Sequence, residues 1–146
     1  MFLFLNKKEN IISEIKIKLN KSPTDLKDTR QVAFYAARLA DDKKAEDVEV
    51  VDIMSLQDIA DYVVISSAAT APQLKAIAAH IENSLSDLGM EPAHKEGRYG
   101  DKWFLLDYID FVVHIIQDEA REFYNLEELW TDATFIPEPE WQKGHQ

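Results

Sequence analysis

Within the fifteen residues from Trp103 to Gln117 the chain sets an indole, two carboxylates and an imidazole (Trp103, Asp107, Asp110 and His114) among Phe, Leu, Ile and Val. Such groups recognise a partner through apolar burial, hydrogen bonding and charge. Bond-making chemistry needs more, and its signatures are missing. There is no glycine-rich phosphate loop, no G-x-S-x-G elbow and no H-E-x-x-H pair. Histidines at 80, 94, 114 and 145 lack ligand spacing, and the absence of cysteine excludes a thiolate zinc site or a disulfide framework. No D-x-D pair offers ligands for two-metal phosphoryl transfer. Asp52, Asp58 and Asp61 could line one end of a sheet, but they read more simply as loop and strand-edge acids that keep those segments solvated. The segment therefore points to a binding module and not to an enzyme, with no catalytic residue, metal or cofactor expected.

A hairpin must position these groups. With Ile109-Asp110 as a two-residue turn, Tyr108 pairs with Phe111, Leu106 with Val113 and Phe104 with Ile115, and cross-strand partners share a face. That face is wholly apolar and belongs to the core. The opposite face sets Asp107 against Val112, Leu105 against His114 and Trp103 against Ile116, with Asp107 and His114 as diagonal neighbours able to hydrogen-bond. Isoleucine disfavours the positive φ of a tight turn, and a slip of one residue would exchange the two faces. Trp103 then either packs under a helix or serves as an interface hot spot, where one such side chain can contribute upwards of ~2 kcal/mol.

The remaining elements follow from periodicity and punctuation. Residues 1–21, rich in Asn, Lys and Ile, read as an N-terminal extension, disordered or weakly helical. Ser22-Pro23-Thr24-Asp25 reads as a helix start, after which Thr29, Val32, Ala33, Ala36, Leu39 and Ala40 form a buried stripe ending near Asp41-Asp42. Val48–Ile53 and Tyr62–Ser66 read as strands. Thr70-Ala71-Pro72-Gln73 is a capping box opening a helix with Leu74, Ile77, Ala78, Ile81, Leu85 and Leu88 inward, and Gly89 stops it. A short strand is expected around Ala93–Glu96, a loop around Gly97 and Gly100, then the hairpin. Asp118 caps a last helix with Ala120, Phe123, Tyr124 and Leu129 inward, and Pro137 and Pro139 end regular structure. The expected domain spans 22–136, with a tail over 137–146. The predicted class is α+β, a mixed sheet of about five strands flanked by helices.

Charge bounds the partners. The chain of 146 residues carries −11 net, with a local +3 over residues 1–23 and −14 over the rest. From Asp118 to Glu140 there are eight acids against the single base Arg121. Such a field repels a phosphate backbone, so no direct DNA binding and little direct RNA binding are expected, whereas a basic protein surface is attracted. No apolar run approaches the ~20 residues of a membrane span. The opening Met-Phe-Leu-Phe-Leu is too short for a secretory signal. A cytoplasmic protein, without a membrane partner, is expected.

Several stretches taken in order resemble one family: Ala-Glu-Asp-Val-Glu-Val-Val-Asp-Ile (45–53), Ala-Asp-Tyr-Val-Val-Ile (60–65), Gln-Leu-Lys-Ala-Ile-Ala (73–78), Glu-Gly (96–97), Trp-Phe-Leu-Leu-Asp-Tyr (103–108), Val-Val-His (112–114) and Ala-Arg-Glu-Phe-Tyr-Asn-Leu-Glu-Glu-Leu-Trp (120–130). Together, over about residues 26–133, they resemble the ribosome silencing factor, or iojap-like, family. The resemblance implies a nucleotidyltransferase-like α+β fold without nucleotidyl transfer. It implies a translational repressor that binds the large ribosomal subunit through its protein fourteen and sterically blocks joining of the small subunit, lowering protein synthesis under nutrient limitation. The residues it carries over to partner binding are Trp103, Leu105, Leu106, Asp107, Tyr108 and Asp110, with His114 on the adjoining strand. Two departures stand out. Ala68-Ala69-Thr70-Ala71-Pro72 replaces the usual Gly-Thr-Ser-x-Arg, and Ile109 stands where glycine is usual. The alternatives are a nucleotidyltransferase-like enzyme acting on a nucleotide through Asp52, Asp61 or Asp107, and a homodimeric scaffold that uses the mixed hairpin face for itself.

Overall fold

The computed structural model describes residues 21–56, 60–97 and 102–145; the expected extension over 1–20, Asp58 and Gly100 lie outside them. Side-chain N-caps start the two long helices. Helix α1 (Thr29–Asp42) begins not at Ser22 but after Asp28, whose carboxylate accepts from the Gln31 backbone N–H. Gln31 replies through both ends of its amide, donating to Asp28 and accepting from Thr24. Asp28 with Gln31, and not the Ser22-Pro23 pair upstream, thus satisfies free amides of the first turn. Helix α2 (Ala71–Asp87) begins as expected, with the Thr70 hydroxyl accepting from Gln73 and Pro72 in the first turn. It ends at Gly89 in the left-handed conformation, where Gly89 and Met90 donate to the Ser86 and Leu85 carbonyls.

The sheet has six strands: β1 (Glu46–Asp52), β2 (Tyr62–Ala68), β3 (His94–Glu96), β4 (Trp103–Asp107), β5 (Phe111–Gln117) and β6 (Thr134–Ile136). Their spatial order is β3-β4-β5-β2-β1-β6. Only β2 and β5 run parallel; the other neighbours are antiparallel, so the sheet is mixed. Every residue of β2 is buried, as befits a central strand covered on both faces. On one face α1 and α2 pack through Val32, Ala36, Leu39, Leu74, Ile77 and Ile81 against Val50, Val64, Leu106, Val113 and Ile115. On the other face a smaller core gathers Val51, Ile53, Val63, Ile65 and Ile116 under Ala120, Leu126 and Trp130.

The C-terminal third departs from expectation in three ways. Helix α3 (Asp118–Tyr124) stops after two turns because Asn125 takes the left-handed conformation, and a 3-10 turn (Leu126–Trp130) follows. The break resets the helical phase, so Leu126 and Trp130 turn inward while Phe123, Tyr124 and Leu129 are exposed; of the four residues expected inside, only Ala120 is. A sixth strand, β6, pairs with the edge of β1. It escapes the sequence because three residues, two of them exposed, show no usable alternation. Finally, Pro137 and Pro139 do not end regular structure. Pro137 caps and Pro139 opens a short helix, α4 (Glu138–Trp141), where a missing N–H costs nothing. Trp141 enters the main core, and its carbonyl accepts from Arg38. A 3-10 turn (Gln142–His145) follows.

Candidate functional site

The hairpin forms in the expected register, with Trp103 opposite Ile116, Phe104 opposite Ile115, Leu105 opposite His114, Leu106 opposite Val113 and Asp107 opposite Val112. Its turn is unusual. Ile109 adopts φ +73°, a conformation that costs a β-branched residue on the order of 1–2 kcal/mol. Three contacts hold it there. The Ile109 N–H donates to the Asp107 carboxylate at 2.8 Å, Asp110 N–H donates to the Tyr108 carbonyl at 2.9 Å, and the Asp110 carbonyl accepts from Asp61 N–H at 2.8 Å. Asp107 is therefore the local brace of the turn, and the turn is bolted to the start of β2.

On the face away from α1 and α2, the Trp103 indole N–H donates to His114 Nδ1 at 3.0 Å. This replaces the expected Asp107–His114 hydrogen bond, since Asp107 is engaged by the Ile109 amide. A ring nitrogen that accepts from an indole is unprotonated, so His114 is neutral with its proton on Nε2. Burial pushes its pKa down to about 4, in the same direction. The Trp103 ring lies 5.7 Å from His114 and 5.5 Å from Tyr124, and His114 lies 6.1 Å from Trp130. Trp103 is thus half-buried and clamped between the hairpin and α3. One part of its ring packs against α3, and the rest keeps contact with solvent.

Leu105 and Asp107 are half-buried on the same face, and Asp110 is exposed at the turn. Leu106 and Tyr108 lie apart from this group. They face α2, 2% and 7% exposed, and Tyr108 stacks on Phe111 at 4.9 Å. Strand alternation makes this unavoidable, because residues 106 and 108 point opposite to 105 and 107. They seat the strand, while Trp103, Leu105 and Asp107 keep part of their surface accessible on the other face, Asp110 is exposed at the turn and His114 is largely buried among the rings. A cleft of about 380 Å³ runs beside Trp103 and Leu105, lined also by Glu96, Gly97 and Lys102. Gly97 is required there: at φ +103° a Cβ would stand 2.7 Å from both the Phe104 ring and the Trp103 carbonyl.

The residue that sequence reasoning passed over is Arg121. Its buried guanidinium donates to Glu127 at 2.9 Å, Glu49 at 3.1 Å, the Ser67 hydroxyl at 2.8 Å and the Asp47 carbonyl at 2.6 Å. Asp47, at φ +47°, belongs to the β1 bulge between Glu46 and Glu49. One side chain therefore ties α3 to β1, β2 and the following 3-10 turn, and so fixes the helix against which Trp103 rests. A lone arginine among eight acids was the available signal. Asp52 accepts from Met54 N–H at 3.1 Å, a local turn contact. Among the described residues no group of three or more His, Asp or Glu could hold a metal ion.

Comparison with known proteins places this geometry. The family model described as "Ribosomal silencing factor during starvation" matches residues 26–146. The ribosomal silencing factor RsfS of Bacillus subtilis is 38% identical over 104 residues, covering 71% of this chain and 88% of that protein. Its counterpart from Halalkalibacterium halodurans is 37% identical over 107 residues, covering 73% and 92%. Among solved structures, a Chromobacterium violaceum protein superposes with a TM-score of 0.67 at 26% identity, over 69% of this chain and 84% of that one. A Bacillus halodurans protein gives 0.64 at 30% identity, over 76% and 98%. With the match running from the turn before α1 through Trp141, the chain belongs to the ribosomal silencing factor family, whose members repress translation at the ribosome and are regulators, not catalysts.

Proposed function

We propose that this protein silences translation as a steric plug. It docks on the large ribosomal subunit through the open face of the β4–β5 hairpin, and its bulk keeps the small subunit from joining. The partner on that subunit is a basic protein surface, and the family resemblance supports protein fourteen in that role. The observation that carries the reading is the presentation of Trp103, an aromatic fixed by His114 on one side and Tyr124 on the other, with Leu105, Asp107 and Asp110 beside it. A side chain held in one orientation loses little entropy on binding, the property of an anchor residue. The acidic balance of residues 24–146 supports a cationic protein partner over ribosomal RNA. The mixed sheet is, on the same resemblance, a scaffold of nucleotidyltransferase type used for its shape alone, and the setting is the cytoplasm.

Co-sedimentation with purified large subunits, with and without competing small subunits, tests the proposal. The wild type is expected to travel with large subunits and to lower the yield of joined ribosomes. Trp103→Ala is expected to weaken binding by about tenfold or more. Because Trp103 also packs on the second core, its unfolding midpoint must be measured alongside. Undiminished binding by a folded Trp103→Ala variant, or subunit joining that proceeds unhindered at saturating protein, defeats the proposal.

A further inference from the structure

Phe123, Tyr124 and Leu129 expose 81%, 58% and 66% of their surface, although the helix and 3-10 turn that bear them already have inward residues in Ala120, Leu126 and Trp130. Exposed apolar side chains are ordinary when scattered singly and informative when contiguous. Here the two aromatics are contiguous with the hairpin. The Phe123 ring meets Tyr124 edge-on at 5.1 Å, and Tyr124 lies 5.5 Å from Trp103, so the aromatics form one row from the open strand onto α3. A cleft of about 300 Å³ beside them is lined by Lys102, Glu119, Ala120, Phe123 and Tyr124.

The charge around this row is one-sided. Glu119, Glu122 and Glu128 are exposed on the same two elements, and Asp132 is exposed just after them. The one cation there, Arg121, is turned inward and bound by Glu49 and Glu127. Lys102 is the positive group in the cleft. Exposed aromatics flanked by carboxylates suit long cationic side chains, whose stems lie on the rings while their heads reach the acids. Nucleic-acid bases also stack on aromatics, but their phosphates need a basic groove, and this surface is the reverse.

We infer that α3 and the 3-10 turn after it form a second half of the docking surface, which takes a lysine- or arginine-bearing segment of a large-subunit protein across Phe123 and Tyr124. The inference rests on the docking reading above and extends its footprint from one strand to two elements. In this arrangement Tyr124 both touches the partner and braces Trp103, whereas Phe123 touches the partner alone. Phe123 is therefore the residue to change.

The experiment compares wild type, Trp103→Ala, Phe123→Ser and Glu122→Lys for affinity to purified large subunits over a range of salt. Unfolding midpoints, light scattering and binding to protein-free ribosomal RNA are measured on the same samples. Phe123→Ser is expected to lose roughly fivefold to tenfold in affinity with its unfolding midpoint unchanged. Glu122→Lys is expected to bind more weakly and with a shallower salt dependence. Wild-type affinity in Phe123→Ser, with loss in Trp103→Ala, overturns the inference and leaves the hairpin reading standing. Loss in Phe123→Ser with none in Trp103→Ala overturns the hairpin reading and, with it, the two-part surface. Absence of wild-type binding overturns both. The inference also fails if Phe123→Ser splits a dimer without changing subunit affinity, or if it weakens binding to bare RNA as much as to subunits.

Discussion

His114 shows how one residue can be set by its neighbours. It has two diagonal neighbours across the hairpin, Trp103 and Asp107, and the sequence alone favours the carboxylate as its partner. The right-handed twist of a strand pair brings one diagonal nearer than the other, and the Ile109 amide offers Asp107 a closer donor. The imidazole is left neutral in a buried aromatic setting, with a pKa of about 4 against 6.5 in the unfolded chain. The unfolded state thus binds a proton first as pH falls, so the stability that neutral His114 contributes is intact above about 6.5 and drains away toward 4. At ~1.4 kcal/mol per pKa unit the whole window is worth roughly 3 kcal/mol. The urea midpoint of the wild type is accordingly expected to drop between about pH 7 and about pH 5. In His114→Phe that drop should be clearly smaller, and equal slopes for the two proteins would contradict the account.

At the scale of elements, the short helix α3 is held by one side chain. Its seven residues are too few for autonomous helicity. Arg121 supplies the missing hold by joining it to β1 and β2. Burial raises the pKa of Glu49 in spite of the neighbouring Arg121 guanidinium. Arg121→Met would keep much of the packing volume but leave Glu49, Ser67 and the bulge carbonyl of Asp47 without their donor. We expect a loss of about 3 kcal/mol in urea unfolding. Because α3 carries Tyr124, binding to large subunits should weaken as well. A variant as stable as wild type would show that the bulge and helix hold each other without the arginine. The long helices contrast with this. Their stripes, and the Thr70 cap of α2, are visible in the chain because local signals agree there, although the α1 cap lies at Asp28 and not at the expected Ser22; α3 has a phase break at Asn125 that only a left-handed backbone reveals.

For the whole molecule, charge and shape act together. A domain with −14 over residues 24–146 is steered toward a cationic surface from a distance, and that steering is screened by salt. Raising the ionic strength severalfold should therefore slow association with large subunits by roughly tenfold, with a smaller change in dissociation. Stopped-flow or biosensor kinetics would read this, and a salt-independent on-rate would contradict it.

Much of this molecule is written along the chain. The wholly apolar face of Phe104, Leu106, Tyr108, Phe111, Val113 and Ile115 favours the hairpin register that forms, and Thr70-x-x-Gln73 with Gly89 bounds α2 by local hydrogen bonding alone. What the tertiary structure alone decided lies where partners are distant in sequence. Trp141 fills the core and closes on Arg38, β6 pairs with the edge of β1 far upstream, as in Ile136 against Val50, and Arg121 reaches a bulge on β1. The choice of Trp103 over Asp107 for His114 belongs there too. Local patterns report a residue's neighbours in the chain, and these contacts depend on sheet order and twist, which exist only after the whole sheet has closed.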